Sequence, residues 1–432
     1  MPSHSGSEPI RTSSVQRLRL RPVGCAACAA SGRHAHNEPA GEPARSVQGA
    51  FSSGVSATAE GDVKAATFHA YGPPDVLHVE NVPQPVPQDD EVLIRVHATP
   101  VNFADLLVRN FRAVGPREFH MPFLFWLLGR LWFGLRKPRV SVLGSEFSGL
   151  IEEVGKGARR FARGDAVFGY CGPRMGADAE YLRMKEHGLL THKPRNMSHE
   201  EAASVPYGAM LALDLLGRLD LQPGARLLVN GASGGIGPLV LQIAKRRYHA
   251  TVTGVCSTAK IETVRSLGAD EVIDYTRQDF VESGRTYDVI IDILGKSSFE
   301  RVRRVLAPRG RLVYVSFKEK QILQMLATAL GGGPKVVCAV LQERRENLAL
   351  ARELIEAGQI RASIDRVFPL AQAAEAHRYA QSGARKGTVV LGIAASASAT
   401  SSGGVESRRG SVSDAKRVGN ASHLTETSYE AV

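Results

Sequence analysis

"RLLVNGASGGIGPLVLQIAKRR" (residues 226–247) joins an apolar run, a glycine-rich turn and an amphipathic stretch. The apolar run ends at Asn230, and the turn Gly231-Ala-Ser-Gly234-Gly235-Ile-Gly237 follows. Leu239, Val240, Ile243 and Ala244 then recur along one side at helical spacing. A glycine turn placed between a strand and a helix is the context of a dinucleotide fingerprint. The glycines let the backbone approach a pyrophosphate, and the helix N-terminus offers unpaired N–H groups and a partial positive charge. Pro238 fits this reading, because proline is tolerated in a helix's first turn. Gly231, Ser233, Gly234, Gly235, Ile236 and Gly237 are the expected cofactor-binding residues of this turn.

The texture on either side supports an α/β fold. From about residue 200, apolar runs "ATVTGVCS", "DEVIDY", "YDVIIDILG", "GRLVYVSF" and "KVVCAV" are separated mostly by helical stretches. Short apolar strands alternating with helices imply a parallel sheet covered on both faces. Residues 63 to about 190 instead carry short β-type runs punctuated by Gly, Pro and Asp, as in a β-rich unit with tight turns.

The second strand of the alternating part bears on the choice of cofactor. An NAD-specific site places Asp or Glu about twenty residues after the last glycine. "ATVTGVCSTAK" (250–260) supplies Cys256, Ser257, Thr258 and Lys260 there. A hydroxyl plus a cation suits a 2′-phosphate, so NADPH is expected over NADH.

Bulk properties set further limits. The 432 residues suffice for two or three domains, and 43% hydrophobic with 22% charged residues is ordinary for a globular chain. The net charge of +11 comes without a Lys/Arg block or an aromatic-interleaved basic motif, so nucleic acid is not an expected partner. Five scattered cysteines do not look like a disulfide framework. Residues 1–62 and 395–432 are rich in small and polar residues and are expected to be disordered. The first segment has no acidic residue between Glu8 and Glu38 but carries Arg11, Arg17, Arg19, Arg21 and Arg33. It resembles a transit peptide, making mitochondrion or plastid the alternative to a cytoplasmic location. "RRGSVS" could accept a phosphate on Ser411.

From about Lys64 to Ile393 the chain resembles the medium-chain dehydrogenase/reductase superfamily, and within it the zinc-independent quinone oxidoreductase branch. The resemblance rests on "PVNFADLLVRN", "VLGSEFSGLIEEVGKGARRFARGDAVFGY", "EAASVPYGAMLALDLL", "LLVNGASGGIG", "SLGADEVIDY" and "GARKGTVVL", in this order. It implies a chaperonin-10-like β-rich catalytic domain at 63–190, completed by 346–394. A Rossmann NADPH-binding domain would occupy 191–345, with the active site in the cleft between them. It also implies a homodimer.

Zinc-dependent relatives carry Gly-His-Glu where this chain reads Gly144-Ser145-Glu146, and a cysteine where it has Asn102. A catalytic zinc takes about three protein ligands, so no metal is expected. The chemistry that remains is hydride delivery from NADPH to a small hydrophobic acceptor already activated, a quinone or an α,β-unsaturated carbonyl. Reduction of other carbonyls or enoyl thioesters is the alternative, as is a weakly catalytic nucleotide-binding scaffold. The resemblance makes Asn102 the catalytic candidate, with Asp105 beside it, although an asparagine in such a turn also caps backbone. It assigns Ser257, Lys260 and Tyr275 to the 2′-phosphate and brings a cation, Arg385 or Lys386, from the C-terminal segment. Leu211 stands where relatives have a threonine near the nicotinamide. "LLVRNFRAVG" lacks the tyrosine of enoyl-thioester reductases.

One stretch, "MPFLFWLLGRLWFGLRKP" (121–138), is not explained by the resemblance. It holds both tryptophans, and Arg130 interrupts it before it could span a membrane. The favoured expectation is a helical lid whose Phe123, Phe125, Trp126 and Trp132 cover an apolar pocket or a dimer contact. The other is a peripheral membrane contact, since Arg109, Arg112, Arg117, Arg136, Lys137 and Arg139 flank it with only Glu118 opposing.

Overall fold

A computed structural model of the chain describes residues 61–393. The expected N-terminal extension up to residue 60, the tail 395–432, Cys25, Cys28 and Ser411 lie outside the described residues.

The β-rich half opens with an antiparallel pair, β1 (Asp62–Thr67) and β2 (His78–Pro83). Its main sheet uses β3 (Glu91–Pro100), β4 (Glu146–Val154), β5 (Ala166–Tyr170), β6 (Tyr181–Lys185) and β7 (Leu189–His192). The chain then builds β8 (Arg226–Asn230), β9 (Thr251–Cys256), β10 (Glu271–Asp274), β11 (Tyr287–Asp292), β12 (Leu306–Tyr314) and β13 (Lys335–Cys338). These six strands pair in the order β10-β9-β8-β11-β12-β13, every neighbour parallel. The chain finally returns to the first sheet through β14 (Ile364–Pro369) and β15 (Thr388–Gly392). That sheet runs β14-β15-β3-β4-β5-β7, with β6 also paired to β3. The fold is therefore α/β, a Rossmann-type parallel sheet plus a chaperonin-10-like β-rich half.

The parallel strands read as unbroken apolar runs because both faces are covered. Leu227 and Val229 of β8 point into one core cluster, together with Val252, Val289, Ile291 and Val313. Leu228 points into the other, with Val255, Ile290 and Leu312. The alternation follows from the two-residue period of a strand. Strand order reverses at β8, which opens a crevice outside the carboxyl ends of the strands, where ligands bind in such sheets.

Within 121–138 a helix forms over Phe123–Phe133. Its inward side carries Trp126, Gly129, Arg130 and Phe133. Gly129 lets it approach Phe111, since a Cβ there would stand 3.0 Å from the Phe111 ring. Trp126 Nε1 donates to the Val114 carbonyl (2.9 Å), and Arg130 donates to the carbonyls of Phe111 (3.2 Å) and Leu135 (2.8 Å). The lid expectation is corrected here in its pocket half only. Phe123, Phe125 and Trp132 are 51%, 45% and 54% exposed, so they enclose no pocket within the described residues, and Trp132 Nε1 donates to the Pro173 carbonyl (3.2 Å). Arg109 also leaves the flanking set, because it is buried and bonds Gly72, His377 and Gln381.

Candidate active site

The glycine turn sits where the sheet reverses. Gly231 has φ +92°, a left-handed conformation that a side chain would strain. A Cβ on Gly237 would overlap the Gly231 carbonyl oxygen and the Ala232 backbone, so the helix Gly237–Tyr248 can start here only without one. Gly235 has open space where its Cβ would be. Backbone amides thus face an unobstructed approach at the start of a twelve-residue helix, a geometry that suits a diphosphate. Beside it lies a groove of about 300 Å³, lined by Asn230, Val255, Tyr275, Phe280, Lys296 and Ser297 among others.

Asn230 and Asp292, at the ends of β8 and β11, are joined by Asn230 Nδ2 donating to Asp292 Oδ1 (3.1 Å). Asp292 also accepts the backbone N–H groups of Leu294, Gly295 and Ser297. It is fully buried and fixes the loop that forms the groove's far wall. Sequence reasoning passed over it, because it reads only as the end of an apolar run.

Ser257, Lys260 and Tyr275 all stand at the same carboxyl edge. Ser257 opens a short turn, its carbonyl accepting Lys260 N–H at 2.9 Å. Tyr275 follows β10 and is exposed over the groove. Burial lowers the Lys260 ammonium below its usual pKa, and the Arg385 guanidinium lowers it further. Burial lowers Arg385 in turn, partly offset by Asp365. Neither cation is in an ion pair among the described residues. Asp365 Oδ2 is already taken by Tyr379 OH (2.7 Å) and the Lys386 backbone N–H (3.0 Å). Lys260 and Arg385 repel one another and Asp365 acts on both, so a phosphate dianion would be favoured where the two positive charges add. Of the two candidates in "GARKG", it is Arg385 whose charge acts on Lys260. Thr258 is engaged elsewhere, donating to Asp274 (2.5 Å).

On the substrate side, Asn102 caps the helix Phe103–Arg109. Its backbone N–H donates to Asp105 Oδ2 (2.7 Å), while Gly144 N–H donates to Asp105 Oδ1 (3.1 Å). Asp105 is 1% exposed, and burial raises its pKa to about 6. With both oxygens occupied and almost no exposure, it positions Asn102 and Gly144.

Glu146 belongs to the same network. Its Oε1 accepts Asn102 Nδ2 (2.5 Å), and its Oε2 accepts the Tyr207 backbone N–H (2.7 Å). It is 3% exposed, and burial pushes its pKa up to about 8. Glu146 thereby orients the Asn102 amide, with the Tyr170 and Tyr207 rings (5.3 Å apart) close by. Leu211 is buried and lines a small cavity of about 120 Å³ with Asp214, Arg218 and Cys338.

Ser145 and Asn102 offer a hydroxyl and an amide where zinc-dependent relatives carry imidazole and thiolate. Cys171 lies nearby, but burial raises its pKa and its Sγ contacts the Gly144 and Ser145 carbonyls. Among the described residues, no group of three or more His, Cys, Asp or Glu is arranged to hold a metal ion.

Two protein families match the chain: "Alcohol dehydrogenase GroES-like domain" over residues 88–195 and "Zinc-binding dehydrogenase" over 267–391. The NADPH-dependent alkenal/one oxidoreductase, chloroplastic, of Arabidopsis thaliana is 30% identical over 359 residues, covering 79% of this chain and 83% of its own. The NAD(P)H oxidoreductase RTN4IP1, mitochondrial, of Homo sapiens is 30% identical over 354 residues, covering 75% and 87%. The quinone oxidoreductase structure from Coxiella burnetii superposes with a TM-score of 0.67 at 26% identity, over 77% of this chain and all of that one. The chain belongs to the medium-chain dehydrogenase/reductase superfamily, in its quinone oxidoreductase-like branch.

Proposed function

We propose that the protein transfers a hydride from NADPH to quinones or α,β-unsaturated carbonyl compounds. The observation that carries the cofactor half is that Lys260, just after the strand paired with β8, and Arg385 act on one another's charge and form no ion pair among the described residues. NADPH supplies the hydride when bound, and the protein supplies position and electrostatics. The glycine turn and helix N-terminus would hold the diphosphate, and Ser257, Lys260, Arg385 and Tyr275 the 2′-phosphate end.

The acceptor half rests on Asn102 and on the relatives' activities. Asn102 Nδ2 spends one N–H on Glu146. The other is left to donate to an acceptor oxygen as it gains charge. A conjugated acceptor needs only this polarisation, because its own π-system spreads the charge. Fluorescence titration with NADPH and NADH tests the cofactor assignment. Lys260→Ala and Arg385→Ala should each weaken NADPH binding by roughly tenfold or more and leave NADH nearly unchanged. Equal loss of both cofactors contradicts the assignment.

A homodimer is part of the same reading. β13 ends its sheet with one edge unpaired, and Leu323, Leu326 and Val340 beside it are exposed. An open edge next to apolar side chains favours pairing with a second copy. The mitochondrial and chloroplastic relatives favour an organelle as the location, with the N-terminal extension as its targeting segment. The division into 63–190 with 346–394 and 191–345 is supported by the return of β14 and β15 to the first sheet.

A further inference from the structure

The outer face of the helix Phe123–Phe133 is largely exposed, tied to the rest of the chain at Trp132, whose Nε1 donates to the Pro173 carbonyl (3.2 Å). Phe123, Leu124, Phe125, Leu127, Leu128, Leu131 and Trp132 are all exposed, and Leu135 extends the patch past the C-cap. Seven consecutive-turn apolar side chains outside, with the one charge turned inward, is the reverse of a surface helix on a water-facing protein. The inner contacts of Trp126, Gly129 and Arg130 hold the helix in this orientation, so the exposure is built in. A further tie runs from Phe123 N–H to Glu319 Oε1 (2.6 Å), and Tyr71 OH donates to the Phe133 carbonyl (2.7 Å). The helix is thus fastened at both ends.

The charges around it are mostly of one sign, with Glu118 and Glu319 opposing. Arg112, Arg117, Arg136, Lys137 and Arg139 are exposed, and none is in an ion pair among the described residues. Arg139 caps the helix by donating to the Leu131 carbonyl (2.7 Å), and Arg136 and Lys137 follow Leu135 directly. Against a second copy related by a two-fold axis, these cations would face one another, which costs affinity. Against an anionic surface they are complementary. Eleven residues make a helix about 16 Å long, too short to cross a hydrocarbon core of about 30 Å but suited to lying in its boundary. None of the described helices is long and apolar enough to cross a membrane.

We infer that the outer face of the helix Phe123–Phe133 is a docking surface for an anionic lipid bilayer, its leucines and aromatic rings entering the boundary and the basic rim meeting the headgroups. The surface lies in the segment between the Asn102 motif and Gly144, both of which form the substrate side. Docking there would hold the reductase at the phase in which hydrophobic acceptors dissolve.

The test uses the full chain and vesicles of phosphatidylcholine with or without phosphatidylglycerol, in the absence of NADPH and acceptor. Its failure is therefore separate from failure of the reductase reading. The wild type should float with the anionic vesicles and much less with the neutral ones, and added salt should release it. Leu128→Ser with Trp132→Ser, both at exposed positions, should lower the bound fraction by roughly tenfold. Because both variants keep the basic N-terminal segment, the difference reads the helix alone. In Trp126→Phe the sole remaining tryptophan is Trp132, and its emission should shift to the blue on adding anionic vesicles. Equal flotation of the wild type and the double variant overturns the proposal, as does an unmoved Trp132 emission. A concentration-dependent dimer abolished by the double variant would assign the face to a second copy instead.

Discussion

Glu146 shows how one buried carboxyl can serve both site and stability. Its pKa of about 8 lies above the ordinary value of 4.5 because burial disfavours the charge. A carboxyl raised in the folded state contributes stability that is full below the unfolded pKa and lost as pH rises through the folded one. The protein should therefore lose stability between about pH 4.5 and pH 8, by up to about 1.4 kcal/mol per pH unit from this group. Asp105 adds a smaller window of the same sign below about pH 6. Glu146→Gln should flatten the melting temperature between pH 6 and 8, measured by scanning calorimetry; an unchanged slope would remove Glu146 as its source. Asn102→Ala should lower kcat/KM for a conjugated acceptor by about ten- to a hundredfold with little change in NADPH affinity. At this scale the sequence pointed to the right neighbourhood but not to the wiring. Asn102 was legible as part of a motif. Its anchor Glu146 is 44 residues away, and Tyr207, which also binds that anchor, is 61 residues beyond it. Local patterns carry no information about such pairings, which is why Glu146 went unassigned.

At the scale of elements, the glycine turn is the most legible feature, because its conformation is dictated by steric exclusion along a few consecutive residues. Gly237→Ala places a methyl group against the Gly231 carbonyl and should abolish NADPH binding while leaving far-UV circular dichroism near the wild type. Tight NADPH binding by that variant would mean the turn does not hold the diphosphate. The strands β8 to β13 were legible for a related reason. Residues buried on both faces leave uninterrupted apolar runs with polar breaks between them. The helix Phe123–Phe133 was legible as a helix but not in its orientation. Apolar residues surround it, so periodicity gives no inner face. Only the contacts of Gly129 with Phe111 and of Trp126 with Val114 decide which side is turned away.

For the whole molecule, the decisive arrangement is that β14 and β15 return to the first sheet after the Rossmann strands are complete. This return brings Arg385 near enough for its charge to act on Lys260, and in the proposed reading the C-terminal segment contributes to the cofactor site. A dimer formed through the free edge of β13 should appear by light scattering at about twice the chain mass, and a charge placed beside that edge by Val340→Asp, at an exposed position, should shift it toward monomer. The reductase reading itself is tested by following NADPH absorbance with the purified full chain and a panel of quinones, short enals and simple ketones. NADPH should be consumed with the quinones and enals, far more slowly with NADH as donor or ketones as acceptors, and without sensitivity to a chelator. Tight NADPH binding with no oxidation by any acceptor would contradict it.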